Sequence, residues 1–111
     1  MRRKQKKDNA SGLATTTVVV MRLYVAGSAP NSLQAIANLE AICQEYLKDS
    51  YKLEIVDVFE HPLRALADGV LVTPSLAKVS PAPGTKIVGN LSDRRNVLLA
   101  LGLKRKVRKV K

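Results

Sequence analysis

The chain has one cysteine, Cys43, and one histidine, His61, so it holds a single soft nucleophile and a single imidazole base. One thiol closes no internal disulfide, and one thiol with one imidazole builds neither a multi-cysteine nor a histidine-rich metal centre. Cys43 stands more than two turns inside a helical pattern, on its apolar side. That setting fits a packing cysteine better than a thiolate nucleophile. His61 precedes Pro62, a chain-breaking pair that places it in an exposed loop. Asp57 closes a strand pattern, where a lone carboxylate is usually structural. Gly27, Gly69 and Gly89 are scattered, so there is no glycine-rich phosphate loop. The spacing therefore offers no catalytic constellation, no cofactor site and no metal site.

The elements that would position these residues follow from periodicity. Residues 15–26 (TTTVVVMRLYVA) are β-branched and almost continuously apolar, which predicts a strand buried on both faces of a sheet. Gly27, Ser28, Ala29 and Pro30 form a turn. Asn31 is a candidate helix N-cap with Gln34 three residues on, as in a capping box. The helix that follows places Ile36, Leu39, Cys43, Tyr46 and Leu47 on one apolar face and ends at Asp49 and Ser50. Residues 52–59 (KLEIVDVF) alternate, predicting a second strand with Leu53, Ile55 and Val58 inward. A strand, a long helix and a strand make a parallel, right-handed βαβ unit. The second half is less regular. Leu63, Leu66 and Val70 give weak helical spacing over 63–71. Thr73-Pro74 opens a strand, and Pro81 to Gly84 form a turn. Residues 86–88 make a short strand, and Gly89-Asn90 is a candidate two-residue turn. Ser92 or Asp93 caps a last helix over 93–103, with Val97, Leu98 and Leu101 on one face.

Composition narrows the setting. The 111 residues are 46% hydrophobic and 25% charged, as in an ordinary globular domain. The longest apolar run ends at Arg22, far short of the ~20 residues a bilayer span needs. The polar residues after the basic start argue against a secretory signal, and with one cysteine this points to a reducing, cytoplasmic setting. The net charge of +10 is concentrated at the two ends. Residues 1–7 hold five basic groups and residues 104–111 hold six. The remaining body has 8 basic against 9 acidic residues, a charge of −1. The reading is a flexible basic leader (1–13), one domain (14–103) and a basic tail (104–111). The ends serve either solubility or attraction to an acidic partner. Nucleic acid is not favoured, because the body has four aromatics (Tyr24, Tyr46, Tyr51, Phe59) and no basic stripe among them.

The element order (βαβ, helix, Thr-Pro turn, two short strands, helix) resembles the thioredoxin-like α/β fold. The loop that carries the redox pair in that fold reads Ala26-Gly27-Ser28-Ala29-Pro30-Asn31 here and has no thiol. Five blocks then resemble the KaiB family of clock proteins. They are Leu23-Tyr24-Val25-Ala26-Gly27, Pro30-Asn31-Ser32, Val56-Asp57-Val58, Thr73-Pro74-Ser75-Leu76-Ala77-Lys78-Val79 and Gly89-Asn90-Leu91-Ser92-Asp93-Arg94. They keep their order and spacing from about residue 18 to 103.

That resemblance implies a non-enzymatic protein that binds a KaiC-type hexameric ATPase ring. It implies KaiA or a clock-output histidine kinase as a second partner, and a dimer or tetramer in the resting state. It also implies two folds, a resting form of order βαββααβ and a thioredoxin-like form of order βαβαββα. The residues it singles out for partner binding or fold switching are Tyr24, Gly27, Pro30, Lys52, Glu54, Thr73, Pro74, Lys78, Gly89, Asn90 and Arg94. Lys52 and Glu54 fall on the second strand, the exposed edge where KaiA docks. Pro74 is expected in cis in the switched fold. Glu54 stands where a basic residue is common, Asn90 where an acidic one is, and the basic 104–111 where the family carries an acidic tail. At the level of residues, two other readings stay open. One is a thioredoxin-like substrate-binding protein without redox chemistry, and the other is a polyanion binder acting through the basic ends.

Overall fold

A computed structural model describes residues 18–103. The expected leader (1–13) and tail (104–111) lie outside the described residues, as do residues 15–17 of the expected first strand. The chain runs β1 (Val19–Val25), α1 (Pro30–Ile42) continued by a π-helical turn (Cys43–Leu47), β2 (Tyr51–Asp57), α2 (Pro62–Ala67), β3 (Ser75–Ser80), β4 (Thr85–Val88) and α3 (Arg94–Ala100). This is the βαβαββα order of the thioredoxin-like expectation. One four-stranded sheet has the order β2-β1-β3-β4. β1 pairs parallel with β2 (Val19 beside Tyr51, Val25 beside Asp57) and antiparallel with β3, which pairs antiparallel with β4.

β1 is central because its apolar residues can be buried on both faces. On one face Val19, Met21 and Leu23 meet Leu39, Ile42 and Cys43 of α1 and its extension, with Val97, Leu98 and Leu101 at α3. On the other face Tyr24 packs with Val56 and Ala65 under α2. Fully burying a side chain such as Leu39 is worth about 1.5–3 kcal/mol, so the α1 face carries most of the apolar stabilisation. The cap and inner face expected of α3 are observed, although the helix ends at Ala100 rather than 103: Asp93 is its N-cap, accepting the Asn96 N–H at 3.2 Å, and Val97, Leu98 and Leu101 are buried.

Several local expectations need correction. Asn31 is not the helix cap. Ala29 occupies that position, because Pro30 itself takes the first helical place where its fixed φ and missing N–H cost nothing. The Ser32 hydroxyl instead accepts the Ala26 N–H at 3.0 Å, tying the loop back to β1. Tyr46 is exposed rather than part of the apolar face. The last turn widens, with the Lys48 N–H donating to the Cys43 carbonyl at 2.8 Å, and the extra residue rotates Tyr46 outward. β2 stops at Asp57, whose carboxylate accepts the N–H groups of Phe59 (2.9 Å) and Gly27 (3.2 Å). Ile55 is 41% exposed because β2 is an edge strand, while Val56 is buried on the opposite face. The weak helical spacing over 63–71 becomes a shorter helix, Pro62–Ala67, in which Leu63 and Leu66 are 77% and 70% exposed. The small Ala65 is the residue that α2 turns to the sheet. Gly89-Asn90 is not a hairpin turn, since β4 leads into α3. Gly89, at φ 118°, donates its N–H to the Pro74 carbonyl.

Candidate functional site

The site residues inferred from sequence fall into three regions. Lys52 and Glu54 lie on β2, exposed, on the outer edge of the sheet among the described residues. Gly27 lies in the β1–α1 loop, Pro30 is the first residue of α1, and Thr73 and Pro74 lie in the segment entering β3. Ala26 and Thr73 line one small apolar recess with Phe59 and Leu71. The Thr73-Pro74 bond is cis, and Pro74 is buried. Gly89 and Asn90 lie between β4 and α3, and Arg94 is the first residue of α3. Asn90 donates to the Gln34 side chain (3.0 Å), and its carbonyl accepts from Asn38 (2.8 Å), fastening this loop to α1. Arg94 pairs with Glu45 at 2.7 Å and lies 5.8 Å from the Tyr46 ring centre. Tyr24 and Lys78 are buried in the sheet and present no outward face. Gly27 has φ 54°, a conformation that favours glycine.

A polar network under α2 was not legible from spacing. The buried Tyr24 hydroxyl donates to the Asp68 carboxylate, which also accepts from Arg22 at 2.9 Å. Arg64 of α2 donates to both oxygens of Glu54, each at 2.6 Å, and Arg22 approaches Glu54 at 3.7 Å. Two arginines and two carboxylates thus join β1, β2 and α2. The hydrogen bond from Tyr24, with Arg22 beside it, holds the Asp68 carboxyl below the usual carboxylate range. Arg64 likewise lowers Glu54. Burial, then Asp68, pushes the Tyr24 phenol up. The one sequence signal for this network was Arg22, the only charge within the apolar run of β1. Glu54, the expected charge reversal at the edge, is therefore neutralised locally.

The geometry offers little to a reacting group. Cys43 is fully buried, and burial pushes its thiol up to about 11, so almost no thiolate exists at neutral pH. His61 is exposed at the start of α2. Among the described residues no cluster of His, Cys, Asp and Glu could hold a metal ion, and no helix is long and apolar enough to cross a membrane. What the fold does present is a backbone edge and exposed apolar side chains, which are features of a binding surface.

Comparison with known proteins agrees with this architecture. A family profile described as KaiB domain matches residues 22–103. The circadian clock protein KaiB3 of Synechocystis sp. is 47% identical over 85 residues, covering 77% of this chain and 83% of that protein. The circadian clock oscillator protein KaiB of Microcystis aeruginosa is 48% identical over 84 residues, covering 76% and 81%. Among solved structures, the N-terminal domain of Synechococcus elongatus SasA superposes with a TM-score of 0.66 at 19% identity, covering 90% of this chain and 98% of that one. Chloroplastic thioredoxin z superposes with a TM-score of 0.65 at 17% identity, covering 77% and 76%. These two show a shared thioredoxin-like fold. With the profile spanning β1 to α3 and nearly half of the aligned positions identical to clock proteins, the chain belongs to the KaiB family.

Proposed function

We propose that this chain is a non-enzymatic clock regulator that acts in the cytoplasm by binding a KaiC-type hexameric ATPase ring. In this reading it offers a second surface to KaiA or to a clock-output histidine kinase. The supporting observation is the KaiB family match across 22–103 on a fold whose one thiol is sealed in the core. The β2 edge supplies main-chain groups for strand addition, and Lys52 supplies side-chain selectivity there. Gly27, Pro30, Thr73, Pro74, Gly89, Asn90 and Arg94 belong to this reading as surface or loop-shaping residues.

The reading includes a second packing of the same chain. Support comes from where apolar surface is left open: Leu63, Leu66, Leu71, Val72 and Val88 are all exposed. An alternative arrangement of the second half of the chain would cover them, and a gap of a few kcal/mol between packings is enough for a switch. The test is co-elution on size exclusion with a KaiC homologue from the same source, in the presence of nucleotide, after overnight mixing. A stable complex is expected, and failure of every such homologue to bind overturns the proposal.

A further inference from the structure

Residues 18–103 carry eight basic and eight acidic side chains, so the whole net charge of +10 belongs to residues 1–17 and 104–111. The fold joins both of these segments to one end of the sheet. Val19 opens β1, and its N–H donates to the Ser50 carbonyl at 3.0 Å, beside the start of β2. Val20 pairs with Ser80 at the end of β3, and Lys78 of β3 pairs with Thr85 at the start of β4. The Thr85 hydroxyl donates to the Ala100 carbonyl at 3.0 Å, which sets the end of α3 over the start of β4. The Leu103 N–H closes that end on the Leu98 carbonyl at 2.8 Å. The described domain is therefore entered after residue 17 and left before residue 104 at the same pole.

That placement decides how the charge acts. β1 and β4 stand two strand spacings apart, so the two points of attachment are roughly 10–15 Å from each other. Opposite ends of a seven-residue strand such as β1 would be ~23 Å apart, far beyond the ~8 Å over which salt screens charge at 0.15 M. Two segments holding eleven cations and one acid thus act as one field. The pole's own surface agrees in sign, with the exposed Lys48 and Lys52 beside Asp49 at the start of β2, while Asp57 closes β2 at the opposite end. Neither segment holds a Trp, Tyr or Phe. Both therefore lack the stacking platform that single strands use and the aromatic anchors of a membrane interface. A surface that offers charge alone is best matched by a dense, regular polyanion, and a DNA duplex carries one charge per ~1.7 Å of axis. The spacing of the attachment points is also close to the ~12 Å width of its major groove, so one segment can follow each phosphate strand.

We propose that this pole, with segments 1–17 and 104–111 joined to one end of the sheet, binds the phosphate backbone of double-stranded DNA. Both segments engage the same duplex. Contacts to phosphate position a protein and carry no sequence information, so binding is without sequence preference. The proposal stands independently of KaiC binding.

Fluorescence anisotropy of the full chain with a short labelled DNA duplex tests it. Between about 50 and 200 mM salt the affinity should fall about 10³–10⁵-fold, as for six to ten neutralised phosphates, and equally for an unrelated duplex sequence. A full-length variant with Lys104→Gln, Arg105→Gln, Lys106→Gln, Arg108→Gln, Lys109→Gln and Lys111→Gln keeps five cations in segment 1–17. Its slope of log affinity against log salt should be no steeper than about −4.5, and its dissociation constant at moderate salt should rise at least about tenfold. Glutamine at Arg2, Arg3, Lys4, Lys6 and Lys7 should weaken binding in the same way. A second readout needs no variant: sedimentation with excess duplex should give one duplex per wild-type chain, because both segments hold the same one. Two duplexes per chain, a loss confined to one of the two variants, or preference for one sequence overturns the proposal. So does tighter binding to single-stranded DNA, or to vesicles of phosphatidylcholine and phosphatidylserine, and so does a wild-type chain that binds no duplex.

Discussion

Replacing Tyr24 by phenylalanine isolates the hydrogen bond that seats α2 on the sheet. The ring is fully buried and keeps its volume in Tyr24→Phe, so no cavity opens. What is lost is the donation from the hydroxyl to the Asp68 carboxylate. A hydrogen bond to a charged group contributes about 1.5–3 kcal/mol. Asp68 keeps Arg22 at 2.9 Å, and its side chain is 27% exposed, so water can occupy the vacated site. The expected loss is therefore at the low end, about 1.5 kcal/mol, or a fall in Tm of about 6–12 °C for a domain of this size. Asp68→Ala costs more, about 2–3 kcal/mol, because it leaves the buried hydroxyl with only the Arg64 carbonyl at 3.5 Å. The double variant costs less than the two singles together, with a coupling of about 1 kcal/mol. Urea unfolding at pH 7 followed by far-ultraviolet circular dichroism reads all three. A Tyr24→Phe chain within about 0.5 kcal/mol of the parent, or strict additivity, refutes the reasoning.

Three further outcomes are expected. Asp68 and Glu54 both have carboxyls lowered by their partners, so their contribution to stability is present above the unfolded carboxylate range near pH 4 and is lost as pH falls through the lower folded values. Acid titration of Asp68→Asn should show a shallower loss over that window, and an unchanged slope contradicts the assignment. Cys43, with its thiol raised to about 11, should resist a thiol reagent at pH 8 in the native state and react promptly in denaturant. Fast native labelling would disprove its burial. Gly89→Ala should destabilise by about 1–3 kcal/mol through backbone strain alone, since φ is 118° and no atom lies within 4 Å of the added methyl. A neutral result in thermal unfolding would show that the loop relaxes freely.

Local chemistry announced much of this fold. The β-branched run of β1, the apolar spacing of α1 and the Asp93 cap of α3 each depend on residues a few positions apart, and each is seen in the structure. The burial of Cys43 followed from the same spacing. Where the chain interrupts its own period, pattern reading failed: the π-helical turn carried Tyr46 out of the helix face, and the weak period over 63–71 gave only the short α2, which turns Ala65 to the sheet. Periodicity reports which residues of one element share a side, not what lies against that side.

The amino-acid order by itself determined the elements, the absence of a thiol in the loop before α1, and the blocks that mark the KaiB family. The family resemblance already implied β2 as an exposed edge, but only the tertiary structure decided that β1 pairs on both sides, between β2 and β3, because strand order is set by how all the elements pack together and no single segment records it. The tertiary structure likewise brought Tyr24 to Asp68 across 44 residues, and Arg64 onto Glu54. That is why a charge that looks free along the chain is held fast in the folded molecule.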